Sequence, residues 1–277
     1  MARIVADAIS KNVGQQVVVD NRPGANAIVG MELLSKATPD GYTLVMTSST
    51  QAVNATLYPK LPYDSVKSFA PVSLVASTPF IVAVYPALPI NTISDLISVA
   101  KEKPGQLMYP SAGTGNSTHL VGELFSAMAG VNLLHVPYKG SGPGIIDLIA
   151  GRMSVIFITM PGAIPHINSR RVRAIAVTSS KRSSIMPDLP TVSESGLPGY
   201  EASTWYGILA PAGTPRRIVM ALNSEIVKVL GTPEVKKGLY VQGLDPIGNT
   251  PEQFAAYVQS EIDKWAKVIK ASGVKLE

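Results

Sequence analysis

Short apolar, β-rich runs alternate with helix-period segments along most of this chain, and that alternation leaves few architectures open. Residues 42–46, 69–75, 80–84, 107–109, 134–136, 154–158 and 172–177 read as strands. Residues 2–12, 27–37, 92–103, 117–129 and 144–150 read as helices, and a further short one starts at Pro161. Residues 16–19, a Gln-Val-Val-Val run, are expected to form a buried strand. Strand, loop and helix in repeated succession imply an α/β fold with mostly parallel sheets. After Tyr200 the rhythm changes. A strand over 201–209 precedes three helices signalled by Thr214-Pro215, Thr232-Pro233 and Thr250-Pro251. In each, Thr is a good cap and Pro a good first helical residue. Gln253 completes a capping box with Thr250. The last helix carries Phe254, Val258, Ile262, Trp265 and Ile269 on one stripe, the pattern of a helix packed on a sheet.

Composition narrows the function. The 277 residues are 46% hydrophobic and 16% charged, a globular balance. The net charge of +5 is scattered, with no Lys/Arg run longer than two residues, so a nucleic-acid footprint is absent. Without cysteine there is no thiol nucleophile, disulfide or Cys-based metal site. His119, His135 and His166 lie far apart and show no metal-ligand spacing. No run approaches the length of a membrane span. The first residues show no signal peptide and read directly as helix, so something upstream is expected to have been lost.

The chemistry concentrates in residues 111–120, Ser-Ala-Gly-Thr-Gly-Asn-Ser-Thr-His-Leu, between a short strand and a helix. This loop holds hydroxyls, an amide and small residues, with no carboxylate, Lys or Arg. Backbone N–H groups and hydroxyls at a helix start are what an anion needs; an ordinary strand-to-helix turn has the same look. The loop matches neither the P-loop nor the dinucleotide fingerprint. Ser117 and His119 are two apart on a helix start and do not face one another, and no Gly-x-Ser-x-Gly elbow exists, which argues against a serine hydrolase. Lys139 to Pro143 and Thr47 to Gln51 are further polar loops after strands, and Lys139 is either a carboxylate partner or a solvated surface residue. Ligands of open α/β sheets bind at that edge. Two extended segments, 74–80 and 199–204, join two lobes: residues 1–77 plus 202–277, and residues 78–201. A cleft between such lobes closes by hinge motion.

Several motifs together resemble a known family. They are Asn21-Arg22-Pro23-Gly24, Pro39-Asp40-Gly41-Tyr42-Thr43-Leu44, Leu61-Pro62-Tyr63-Asp64, Phe69-Ala70-Pro71-Val72 and the 111–120 loop. His135-Val136-Pro137-Tyr138-Lys139-Gly140, Asp188-Leu189-Pro190-Thr191-Val192, Gly196-Leu197-Pro198-Gly199-Tyr200 and Leu209-Ala210-Pro211-Ala212-Gly213-Thr214-Pro215 belong to the same set. The chain resembles, over essentially its whole length, the Bug-type receptors of tripartite tricarboxylate transporters.

The resemblance implies a type II periplasmic-binding-protein-like α/β fold with two lobes, mixed and mostly parallel sheets, and an interlobe cleft. It implies a periplasmic, non-enzymatic receptor that captures a small carboxylate without cofactor or metal and delivers it to membrane permease subunits. A receptor signalling to a sensor kinase is the alternative. Family ligand contacts map onto Ser48, Ser49, Thr50 and Gln51; onto Gly113, Thr114, Asn116, Ser117, Thr118 and His119; and onto Thr159 and Met160 after the 154–158 strand. Two departures stand out. The family's upstream strand and Gly-rich loop are missing, so this chain is expected to bind ligand weakly. The family's Asp-Asn after Phe is replaced by Ile158-Thr159, which removes an acidic contact to a ligand ammonium.

Overall fold

The computed structural model describes residues 1–22 and 25–274; Pro23 and Gly24 of the Asn-Arg-Pro-Gly motif lie outside the described residues. In chain order the elements are α1 (Ala2–Val13), a 3-10 turn (Ala25–Ala27), α2 (Ile28–Ser35), β1 (Val45–Ser48), α3 (Thr50–Leu57), β2 (Phe69–Val84) and α4 (Ile93–Glu102). Then come β3 (Met108–Ser111), α5 (Ser117–Ala129), β4 (Leu134–Pro137), α6 (Ser141–Ile149), β5 (Val155–Thr159), α7 (Met160–Asn168) and β6 (Arg173–Val177). The chain ends with β7 (Ser203–Pro211), α8 (Arg216–Leu230), α9 (Pro233–Val241), β8 (Asp245–Pro246) and α10 (Pro251–Ser272).

Two compact units form. Unit 1 is Met1–Ser77 with Trp205–Ala266, and unit 2 is Thr78–Thr204 with Lys267–Glu277. The tail from 267 therefore groups with the second unit, not with the first as the sequence suggested. The cause is α10, a helix of 22 residues. At 1.5 Å per residue it is about 33 Å long, enough to carry its last turns out of unit 1.

In unit 1 the sheet runs β1, β7, β2, with β8 pairing β2. β1 is antiparallel to β7 in the register Val45↔Leu209 to Ser48↔Tyr206. The core joins the two chain segments: Val72, Val75 and Ala76 of β2 pack with Ile208 and Ala210 of β7, Ile226 of α8 and Leu239 of α9. Trp205 and Trp265 both donate their indole N–H to Glu261, at 3.1 Å each, and Lys264 closes an ion pair on the same buried carboxylate. The stripe read along the last helix is a core face, with Phe254, Val258, Trp265 and Ile269 all buried.

Three readings change here. Residues 16–19 form no strand; Val17 is 38% and Val18 76% exposed. A β-branched run is a strand only with a neighbour to complete its ladder. Among the described residues none pairs with it. The outer edge of β1 is likewise unpaired and opens, beside Val17, Val18 and Val19, on a groove of about 660 Å³ between α1 and α2. Second, Thr214 does not cap α8, whose N-cap is Pro215, although Thr232 accepts from Val235 N and Thr250 and Gln253 exchange both capping-box bonds. Third, 69–75 and 80–84 are one strand of 16 residues, β2, not two.

That strand also reverses the expected strand directions. In unit 2, β5 and β6 both lie antiparallel to the second half of β2, and among the described strands β3 and β4 are the one parallel pair. The sheets are mixed, as expected, but antiparallel pairings predominate among those described. Strand–helix alternation fixes a common direction only for strands joined by helical crossovers within one unit. β2 enters unit 2 from unit 1 and runs against them. Its residues Ile81 and Ala83 join Ile156, Ile158, Leu148 and Met160 in the second core.

Candidate functional site

Unit 2 carries strand-to-helix loops after β3, β4 and β5. β3 and β4 run parallel and level, Met108↔Leu134 through Ser111↔Pro137, so the starts of α5 and α6 follow neighbouring strand ends. Tyr138 N–H donates to Ser111 O at 3.1 Å and Gly140 N–H to Ala112 O at 3.2 Å, tying the loops together. Met108 exchanges bonds with Ser154, one residue before β5, and the Tyr109 ring meets Phe157 further along. β3 and β5 thus advance together, and α5 and α7 follow strands that run the same way.

The 111–118 loop is built from its own side chains. Asn116 caps α5, its Oδ1 accepting from Thr118 N and from Thr118 Oγ1, both at 3.1 Å. Thr118 Oγ1 accepts from Ala112 N at 2.8 Å. Gly113 and Gly115 take φ of 133° and 75°, values that favour glycine, and so turn the backbone within a few residues. After these bonds the exposed Thr114 and the backbone N–H of Ser117 keep no hydrogen-bond partner among the described residues. They are free donors at the positive end of a 13-residue helix, in a loop without a carboxylate.

Unit 1 has a comparable loop. Ser48 Oγ and Thr50 Oγ1 lie 2.9 Å apart where β1 gives way to α3, with both residues half-buried. Ser49 is the buried N-cap, its N–H donating to Trp205 O at 3.1 Å.

Five residues expected at the site are buried and do other work, Ser49 as just described and four more. Gln51 is turned inward, its Nε2 donating to Ser65 O at 2.9 Å. Thr118 is buried and holds the loop as just described. Met160 is a core residue with Ser183 Oγ 3.7 Å from its Sδ. His119 is 5% exposed. Successive residues of a helix point about 100° apart, so only part of each helix start faces the loop edge and the rest turns inward. Thr159, the N-cap of α7, stays half-exposed and makes no side-chain capping bond. Ile158 belongs to the core. Lys139 is exposed and has no ion pair among the described residues.

Beneath the loop lies a polar cluster that sequence reading missed. The His119 and His135 rings stack at 3.7 Å and 14°. Ser111 Oγ is 2.6 Å from His135 Nε2. Tyr109 OH donates to Glu123 Oε1 at 2.6 Å, and His119 Nε2 lies 3.6 Å from the same oxygen. Burial, aided by the neighbouring His119 imidazole, pulls His135 down to about 4. Burial works to raise the Glu123 carboxyl, but the contacts from His119 and Tyr109 outweigh it and hold the group below the ordinary carboxylate range. The available signals were His119 and Glu123 four apart on one helix and Tyr109 and Ser111 two apart on one strand; His135 needed the β3–β4 register. The Ser–His pair that the fold makes is Ser111–His135, not Ser117–His119. Ser111 is buried and bonded to Gly113, so it is not poised as a nucleophile. Among the described residues no group of His, Cys, Asp and Glu could hold a metal ion.

Comparison with known proteins decides the family. The family model described as "Tripartite tricarboxylate transporter family receptor" matches residues 1–274. The chain belongs to this receptor family. Among its relatives is the UPF0065 protein of the tcbD-tcbE intergenic region of Pseudomonas sp. strain P51, 42% identical over 97% of this chain and 80% of that protein. Protein BugT of Bordetella pertussis is 37% identical over 100% of this chain and 86% of BugT. Among solved structures, Rpa4515 of R. palustris with adipate is 36% identical with a TM-score of 0.86, covering 99% of this chain and 92% of that one. MatC of Rhodopseudomonas palustris with bound malate is 30% identical with a TM-score of 0.80, covering 97% and 92%. The tripartite tricarboxylate receptors are binding proteins, not enzymes, and the two-lobe α/β fold class is theirs. Among the described residues no helix is long and apolar enough to cross a membrane.

Proposed function

We propose that this receptor captures a small dicarboxylate in the periplasm and delivers it to the permease subunits of a tripartite transporter. The observation that carries the reading is the acid-free start of α5, where Thr114 and the Ser117 N–H stand unpartnered in a member of this receptor family. One carboxylate is held there, with Gly113, Asn116 and Thr159 shaping its surroundings. Ser48 and Thr50 of unit 1 form a second donor set. Binding is non-covalent: charge-assisted hydrogen bonds from backbone N–H and hydroxyl groups replace water. Two relatives with dicarboxylates in their structures, adipate and malate, support that ligand class. Ile158-Thr159 offers no acid for an ammonium group, which favours a plain acid over an amino acid. The family's description as a transporter receptor favours delivery to a permease over signalling to a sensor kinase.

Thermal-shift measurements with millimolar adipate and malate, against their dimethyl esters, test this. The acids should raise Tm and the esters should not. Equal shifts, or none with any diacid in a wider panel, would overturn the reading.

A further inference from the structure

His119 carries a pattern of contacts that a plain core histidine does not need. Its Nδ1 lies 3.1 Å from the backbone N–H of Gly115, which donates to it. A ring nitrogen that accepts an N–H carries no proton of its own, so the imidazole's proton is on Nε2. That nitrogen faces Glu123 Oε1 at 3.6 Å, and the same carboxylate oxygen takes the Tyr109 hydroxyl. On its flat side His119 stacks on His135, whose Nε2 meets Ser111 Oγ, which in turn accepts from Gly113 N at 3.1 Å. Both turning glycines of the donor loop are thus tied to the two imidazoles, Gly115 directly and Gly113 through Ser111.

We propose that His119 is a positioning residue: with Nδ1 committed to the Gly115 N–H, Nε2 facing Glu123 and its ring braced on His135, it fixes Gly115 and so aims the free Thr114 and Ser117 donors. This deepens the carboxylate-binding reading and rests on it for its effect on affinity, though not for its effect on the loop. The physical reason is that the loop between Ala112 and Asn116 is short and has two residues at positive φ. Each is held by few bonds, and the Gly115 N–H has no other acceptor among the described residues. Removing that acceptor leaves a buried donor unsatisfied and lets the turn re-form elsewhere.

The substitutions separate positioning from packing. His119→Asn keeps an acceptor close to the Nδ1 position. His119→Gln places its amide nearer the Nε2 position, and His119→Leu keeps volume but no acceptor. Nitrogen-15 NMR of the wild-type imidazole should show Nε2 protonated and Nδ1 as an acceptor, with slow hydrogen exchange at the Gly115 amide. The Asn variant should keep the Gly115 protection and bind adipate or malate within about threefold of wild type. The Gln and Leu variants should lose the protection and bind roughly tenfold more weakly. A proton on Nδ1, or Gly115 protection and affinity retained by the Leu variant, would overturn the proposal. If the wild-type protein bound no dicarboxylate, the carboxylate reading would fail, while tautomer and Gly115 exchange would still decide the positioning claim.

Discussion

Replacing Ser117→Asp should separate folding from binding more cleanly than any deletion. Ser117 is the first residue of α5, and the α5 cap is supplied by Asn116, so the substitution removes no capping bond. A carboxylate in the first turn interacts favourably with the helix N-terminus, by about 0.3–1 kcal/mol. The folded protein should therefore be as stable as before or slightly more so. A ligand carboxylate held by the Ser117 N–H would, however, lie on the order of 5 Å from the new charge. With an effective dielectric of about 20, two like charges at that distance repel by about 3 kcal/mol. That corresponds to roughly a 150- to 200-fold loss of affinity. Calorimetry with whichever of adipate and malate binds the wild type reads the affinity, and thermal unfolding reads the stability. Unchanged affinity in a stably folded variant would refute the placement of the anion at the start of α5.

Other outcomes follow from the packing and the buried imidazoles. A Cβ at Gly207 of β7 would collide with the ring of Phe254, so Gly207→Ala should destabilise unit 1 by about 1–3 kcal/mol in denaturant unfolding. Val18→Ser, at a position the sequence alone would bury, should change stability by less than about 0.5 kcal/mol, since the side chain is 76% exposed. His135, lowered from 6.5 to about 4, takes a proton more readily in the unfolded chain. Its contribution is complete above pH 6.5 and is lost as the pH falls toward 4, an effect of about 1–2 kcal/mol after allowing for partial exposure. The depressed Glu123 carboxyl adds to the loss as the pH falls below about 4.5, its unfolded value. Unfolding measured from pH 7 to 4 should show this slope, and His135→Asn should flatten its upper part.

The elements that were legible in sequence are those whose signals are local. α5 was placed by its helical period and its polar start, and the capping box at Thr250 and Gln253 is a four-residue pattern that the fold reproduces. Residues 16–19 show the converse. Their β-branched pattern says that they suit a strand, but only a neighbouring strand could make them one. Residues 69–75 and 80–84 read as two separate strands, yet β2 runs through both, because a long crossing strand is set by the two cores on either side of it. Within the site, loop composition located the donors but could not say which side chains turn inward. Asn116, Thr118 and His119 look alike as polar loop residues. Only their partners show that they hold the loop rather than line it. The Tyr109–His135 contact depends on strand register, which a single sequence does not reveal.

The central claim is that the start of α5 binds a carboxylate. A two-dimensional amide NMR titration of the whole chain with adipate and with malate tests it most directly. The account predicts saturable shifts at the Thr114, Gly115 and Ser117 amides, with the Ser117 N–H moving most as it takes a charged acceptor. Saturable binding that left these three amides unmoved and shifted others instead would contradict it.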